Sequence, residues 1–358
     1  LGTISDIQKG TSITKKDVSQ GNIPVIAGGQ KPAYYHDTSN RTGKTITVSA
    51  SGAYAGFVNY FDIPIFASDC TTIQSKNEDL VMSDFLFYLL KGKQDDIYKF
   101  QQGGAQPHVY SKDLAKIKIP LLPIENQREI IDEINSKQLI INGAKELVQK
   151  IEKERGNSSY LFERLNCDFF ELEKITEINP KKSEIKNLKD IYVSFVPMSE
   201  LSDNGYIFTP KEERKIESVQ TSYTYFKNGD VLMAKVTPCF ENGKIGIADN
   251  LINGIGFGSS EFVVIRPSDK ILAKYLYYFF IQNKFKDEAK LRMTGTGGLQ
   301  RIPTTYISKI TIPVPDIETQ KHIIEKFEKQ QNLLNASKSL VDLFELEIKD
   351  VVNRLFEA

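Results

Sequence analysis

The sequence predicts an α+β protein: two α/β domains separated by two long antiparallel coiled-coil helices, with a pseudo-twofold internal repeat. Three observations carry that reading. Residues 116–131 (KIKIPLLPIENQREII) and 309–324 (KITIPVPDIETQKHII) are near copies, in which Lys116, Ile117, Ile119, Pro120, Ile124, Glu125, Gln127, Ile130 and Ile131 meet identical residues at a spacing of 193. Each copy leads into a heptad pattern, and each is preceded by short β-like runs broken by turn residues. Two units of this size are too few and too large for a solenoid. The copies therefore read as the closing segments of two larger halves.

Taken in order, the first half opens LGTISDIQK and residues 172–180 open LEKITEINP, matching Leu1 to Leu172, Ile4 to Ile175 and Ile7 to Ile178. Strand-like runs follow at 23–26, 45–49, 191–196, 231–234 and 262–265, separated by Gly, Asn and Asp as in Asn228-Gly229-Asp230. Each half then has an aromatic helix-like stretch (85–90 and 275–280) and a Gly-Gln loop, QQGGAQPH at 101–108 and TGTGGLQR at 294–301. Between these landmarks the halves diverge, which suggests one scaffold presenting two different recognition surfaces. The boundaries follow as 1–123 and 167–316 for the domains, 124–166 and 317–358 for the helices.

In the second helix Phe327, Leu334, Val341, Ile348 and Leu355 recur every seven residues, with Phe344 and Val351 on the adjoining positions. In the first, Ile134, Ile141 and Val148 hold the matching frame, with Ile130, Ala144 and Ile151 beside them. Stripes this apolar call for a partner, and each helix is the economical partner of the other. Lys137, Gln330 and Ser337 interrupt the seam and would fix its register. Gly143 and Gly156 are expected to fray or bend the first helix. A helix of about 35 residues rises roughly 50 Å, so the expected object is two domains held apart by a rod.

Composition narrows the function. The 358 residues carry zero formal net charge, which argues against a simple polybasic nucleic-acid binder. Residues 1–120 carry 13 basic and 11 acidic side chains and 170–313 carry 20 and 17, whereas 121–169 carry 7 and 9 and 314–358 carry 6 and 9. The β-rich regions are thus mildly basic and the helices mildly acidic. No run is long and apolar enough to span a bilayer and no signal peptide opens the chain, so a cytoplasmic protein is expected. Leu1 opens a strand-like run, which suggests that further residues precede it. Cys70, Cys167 and Cys239 are isolated from the three histidines, His36, His108 and His322; neither a zinc site nor a disulfide framework is expected.

Catalytic patterns are equally sparse. Gly254-Ile-Gly256-Phe-Gly258 precedes an apolar run instead of opening a helix, so it reads as a turn and not a cofactor loop. There is no P-loop and no Asn/Asp-Pro-Pro-aromatic motif. Asp316 and Glu318 could be mistaken for a nuclease cluster. The other copy lacks the Asp, and the Glu at each helix entrance, Glu125 or Glu318, is explained by capping and the helix dipole.

The repeated Ile119-Pro120…Ile124-Glu125…Gln127-Arg128 and Ile312-Pro313…Ile317-Glu318…Gln320-Lys321, each ahead of a heptad helix, resemble the specificity subunit of type I restriction-modification systems. The Gly-Gln loops and the run Gly229-Asp230-Val231-Leu232…Gly243-Lys244-Ile245-Gly246 support the resemblance, which spans essentially the whole chain; Pro315-Asp316 departs from it by shifting the second proline. It implies a non-enzymatic subunit whose two target recognition domains each read half of a split, asymmetric double-stranded DNA site. The helices would set the half-site spacing and hold two methyltransferase (modification) subunits, with a restriction subunit outside them. This chain would bind no cofactor; S-adenosylmethionine would belong to the modification subunits. The alternative is the C-terminal specificity region of a fused restriction-methylase.

DNA contacts are expected in polar, glycine-bearing loops, where backbones can approach phosphates and side chains can reach base edges. In the first domain the candidates are Gln30, Lys31, Ser51, Tyr54, Gln101, Gln102 and Gln106. In the second they are Lys235, Thr237, Asn242, Lys244, Ser259, Ser260, Thr296, Gln300 and Arg301, within a loop that includes Gly297. Gln and Asn can pair bidentately with adenine; Lys and Arg suit guanine or phosphate.

Overall fold

The structure is a computed structural model that describes residues 1–202, 205–206, 208–296 and 298–357. The chain forms two compact units, Leu1–Lys145 with Lys338–Ala358, and Glu146–Ser337. No helix among the described residues is long and apolar enough to cross a membrane.

The first unit contains β1 (Ser5–Lys9), β2 (Ile23–Ile26), β3 (Tyr34–His36), β4 (Thr45–Ser49), β5 (Val58–Phe61), β6 (Phe66–Ala67) and β7 (Cys70–Ser75), then α1 (Ser83–Gly92), α2 (Gln94–Tyr98) and α3 (Ser111–Leu114). Its helix α4 (Ile124–Gly156) continues into the second unit. One sheet runs β1-β7-β4-β5, antiparallel throughout. A smaller one runs β3-β2-β6 with β2 and β6 parallel. The β-branched strand β4 is buried along its whole length, as a central strand of Thr, Ile and Val should be. Against it pack Phe85, Leu86, Leu89 and Leu90 of α1, with Ile131 and Ile134 of α4 and Val351 and Val352 of the last helix in the same core.

The second unit adds α5 (Tyr160–Glu163), β8 (Phe169–Glu171), β9 (Thr176–Ile178), β10 (Tyr192–Val196), β11 (Glu212–Lys215), α6 (Ile216–Val219), β12 (Thr224–Lys227) and β13 (Val231–Ala234). There follow β14 (Ile245–Ile247), β15 (Ile255–Gly258), β16 (Phe262–Pro267), α7 (Ala273–Phe280), α8 (Asn283–Lys290), α9 (Thr304–Lys309), β17 (Thr311–Pro313) and α10 (Ile317–Glu357). Its sheet β9-β16-β13-β14 repeats the order and antiparallel pairing of β1-β7-β4-β5. Its sheet β11-β10-β15-β12 repeats β3-β2-β6, parallel pair included, with β12 added at one edge. The interiors that diverge in sequence therefore keep one topology.

Individual bonds recur as well. Leu1 N donates to Ile117 O and Leu172 N to Ile310 O. Ser5 Oγ donates to Leu1 O and Thr176 Oγ1 to Leu172 O. The repeated glutamine is the firmest of these. Gln127 is fully buried; its Oε1 accepts Met82 N at 3.0 Å, and its Nε2 donates to Leu80 O at 3.0 Å and Leu122 O at 2.8 Å. Gln320, also fully buried, accepts Leu272 N at 2.9 Å and donates to Lys270 O at 2.9 Å and Pro315 O at 2.8 Å. Met82 and Leu272 are the residues that precede α1 and α7. One side chain thus satisfies an orphan N–H at a helix start and ties it to the turn before the long helix.

Three expectations are corrected. Of the glycine run, only Gly254 lies in a turn; Gly256 and Gly258 are buried inside β15. A Cβ on Gly256 would lie 2.1 Å from the Phe226 ring, and one on Gly258 would lie 2.5 Å from Val196 O. These glycines admit close packing across the sheet, as glycines inside strands do. Helix α4 runs unbroken through Gly143 and ends at Gly156; nothing lies near Gly143 to disturb it. At the start of α10 the cap is Asp316, whose carboxylate accepts from Thr319 N and Oγ1 at 2.9 Å, whereas Glu318 pairs with Lys321 on the surface.

The heptad positions follow a burial pattern. In the first unit Ile134, Ile141 and Ala144 are buried, Lys137 reaches Glu133 and Glu347, and Lys145 reaches Glu345 at 2.7 Å. In the second unit Ile151, Phe327 and Leu334 are buried. There Phe327 stacks on Tyr278 with centroids 4.6 Å apart, and Arg155 donates to Gln331 and to the Tyr277 hydroxyl.

Candidate nucleic-acid interface

In each unit the Gly-Gln loop folds back on itself and docks on the end of a central strand. Gln102 bridges His108 within the first loop, and His108 bridges Ser51 just beyond β4. Thr294 bridges Arg301 within the second, and Arg301 bridges Val236 just beyond β13. The strand β4 occupies in the first sheet the place of β13 in the second. Two unlike sequences are thus presented at equivalent positions of two like platforms.

In the first unit this docking gathers most of the expected residues. Gly52 N donates to Pro107 O and Val109 N to Ala50 O, both at 3.0 Å. Gln101 Nε2 donates to Ala55 O at 2.7 Å, so that side chain secures the loop. Ser51 Oγ donates to the Asp69 carboxylate. The turn of Gln30 and Lys31 joins the group at Gly28, where a Cβ would lie 2.7 Å from Ser51 O. Gln30, Lys31, Tyr54, Gln102 and Gln106 are exposed. Their amides, ammonium and phenol are the groups able to meet base edges or phosphates.

In the second unit Lys235, Thr237, Ser259, Ser260, Gln300 and Arg301 are knitted together. Thr237 N donates to Gln300 O and Gln300 N to Thr237 Oγ1, each at 3.0 Å. Thr237 Oγ1 in turn donates to Gly298 O at 2.7 Å. Lys235 Nζ donates to Ser260 O at 3.0 Å. Ser259 Oγ accepts Glu261 N. Asn242 joins through the turn closed by its N–H on Pro238 O, and Thr296 opens the turn closed by Leu299 N. Both are exposed. Gly297 lies outside the described residues. Lys244 is not brought into the cluster; its ammonium donates to Met198 O at 3.2 Å.

Two acidic partners were not among the expected residues. Glu261 grips Arg301 through both carboxylate oxygens, from 2.7 to 3.1 Å, and the hydrogen bond from Arg301 holds its carboxyl below the usual range. Arg301 therefore fixes the loop through Nε and Nη2. Asp69 does the same for Ser51. Glu261 directly follows Ser259-Ser260, so position was its only signal. Among the described residues no cluster of three or more His, Cys, Asp or Glu has metal-binding geometry.

The family profile described as type I restriction modification DNA specificity domain matches residues 1–153 and 165–341. Over 166 residues the chain is 40% identical to the EcoAI type I specificity subunit of Escherichia coli, covering 45% of this chain and 27% of that protein. Over 327 residues it is 26% identical to the MjaVIII specificity subunit of Methanocaldococcus jannaschii, covering 85% of this chain and 76% of the relative. The match to the Escherichia coli EcoEI subunit likewise covers only 33% of that protein. Among solved structures, a type I restriction-modification S subunit from M. genitalium superposes with a TM-score of 0.61 at 16% identity, over 99% of this chain and 94% of that one. That likeness concerns the mixed α+β fold.

Proposed function

The chain belongs to the type I restriction-modification DNA specificity family, and from that membership we propose that it is the non-catalytic subunit that gives a type I complex its DNA sequence. Each unit reads one half of a split, asymmetric target in double-stranded DNA. The observation that carries this is the recurrence of one loop-on-strand platform with different exposed side chains: Gln30, Lys31, Gln102 and Gln106 on one, Asn242, Thr296 and Gln300 on the other. A single platform would suffice for a continuous site; two unlike ones suit a divided site.

In this reading the domains are residues 1–123 and 167–316, and the spacer segments 124–166 and 317–358 pair antiparallel as a pseudo-twofold coiled coil through α4 (Ile124–Gly156) and α10 (Ile317–Glu357). The cross-helix ion pairs of Lys137 with Glu347 and Lys145 with Glu345 support that pairing. The spacer also holds two methyltransferase subunits, which bring the S-adenosylmethionine, and a restriction subunit joins them. Leu139, Ile140, Leu343 and Leu346 are more than two-fifths exposed on the helices, as a partner-binding face would have them. The specificity-subunit names of the relatives favour a separate subunit over a fused enzyme.

The spacer gives the test. Inserting four residues at the same level in both helices lengthens them by roughly 6 Å, or nearly two base pairs at about 3.4 Å each. The assembled complex should keep both half-sites and prefer a gap one or two base pairs longer, measured by methylation of a spacer-length library. A changed half-site, or an unchanged gap, would contradict the modular reading.

A further inference from the structure

The second unit carries a cleft of about 350 Å³ that adjoins the loop cluster and shares Lys235 and Ser260 with it. Its other walls include Lys182, Thr221, Ser222 and Tyr223. Among its described lining residues there is no carboxylate, while two lysines and several hydroxyls face the same space. Glu261, next in sequence to Ser260, is turned to Arg301 and neutralised there.

The lysines are anchored but not exhausted. Lys182 Nζ donates to Gln220 O at 2.7 Å and to Thr221 O at 3.5 Å, and Lys235 Nζ to Ser260 O at 3.0 Å. An ammonium has three donors, so each keeps at least one for an incoming group. Carbonyl anchoring holds each charge at a fixed place, which favours a ligand that is itself fixed, such as a duplex backbone. Burial lowers the Lys182 pKa, and a bound anion would oppose that shift.

We propose that this cleft takes a backbone phosphate of DNA beside the half-site read by the second unit, with Lys182 and Lys235 as its two cationic walls. The proposal rests on the DNA-recognition reading above and assigns Lys182 and Thr221 to Tyr223, outside the Gly-Gln loop, to positioning instead of base reading. Phosphate contacts set register and salt dependence without sequence information.

The test uses the full chain assembled with its modification subunits and fluorescence anisotropy over a salt series. One duplex carries the methylated target sequence, and another of equal length lacks it. Lys182→Gln should lower the slope of log affinity against log salt by about 1 and weaken both duplexes by the same factor, roughly tenfold. Lys182→Arg should restore both. Lys235→Gln gives the same readout from the opposite wall, so a folding defect in one variant leaves the other decisive. Wild-type slopes in both Gln variants, or a loss confined to the target duplex, would overturn the phosphate site and leave the recognition reading standing. If the wild-type assembly bound neither duplex, both would fall.

Discussion

Gln320→Leu is expected to destabilise the second unit by about 3–5 kcal/mol. The substitution removes three hydrogen bonds of a fully buried side chain at once and strands Leu272 N, Lys270 O and Pro315 O, at roughly 1–2 kcal/mol each. For a unit of this size that corresponds to a fall in Tm of roughly 10 °C. Gln127→Leu should act in the same way on the first unit, where Met82 N, Leu80 O and Leu122 O lose their partner. Differential scanning calorimetry of the two variants would show it. A shift under about 2 °C in both would mean that the repeated glutamine is incidental to the fold.

Leu334→Asp should be at least as damaging. Leu334 is 2% exposed on α10, and a carboxylate there is either buried charged or forced to neutralise, a cost of several kcal/mol. Leu333→Asp is the control. Its neighbour side chain is 48% exposed, so the same charge should change stability by no more than about 0.5 kcal/mol. Combining Leu334→Asp with Val341→Asp should also abolish assembly with the modification subunits, measured by size-exclusion chromatography. Equal melting of the two single variants would refute the helix register, and an intact assembly in the double variant would refute the helical spacer.

The long helices could be found in the sequence because heptad spacing and the duplicated entrance are periodic signals; in the structure α4 and α10 begin at Ile124 and Ile317. The shared topology of the interiors was not legible. It is held by backbone pairing and by the presence of apolar side chains, not by their identity, so β4 and β13 can occupy the same place with different residues. Strand β15 was hidden by its glycines, whose role becomes visible only when Phe226 and Val196 lie against them. Gln127 and Gln320 were visible as an identical pair. Nothing in a single sequence separates a buried amide clamp from a solvated helix residue.

For the candidate site, the loops were legible and the division of labour within them was not. Gly, Gln and Ser clusters mark exposed turns, but Arg301 and Lys244 looked as available as Lys31. Their bonds to Glu261 and Met198 O depend on folds of chain distant in sequence.

The most direct measurement is methylome sequencing of one host with and without the chain, its modification partners being present throughout. The expected result is a split motif, two short half-sites across a gap of fixed length, methylated only when the chain is present. Exchanging Gln300 and Thr296 for Ala should relax one half-site and leave the other unchanged. A continuous motif, a motif methylated in both hosts, or equal loss at both half-sites would contradict recognition by two independent platforms.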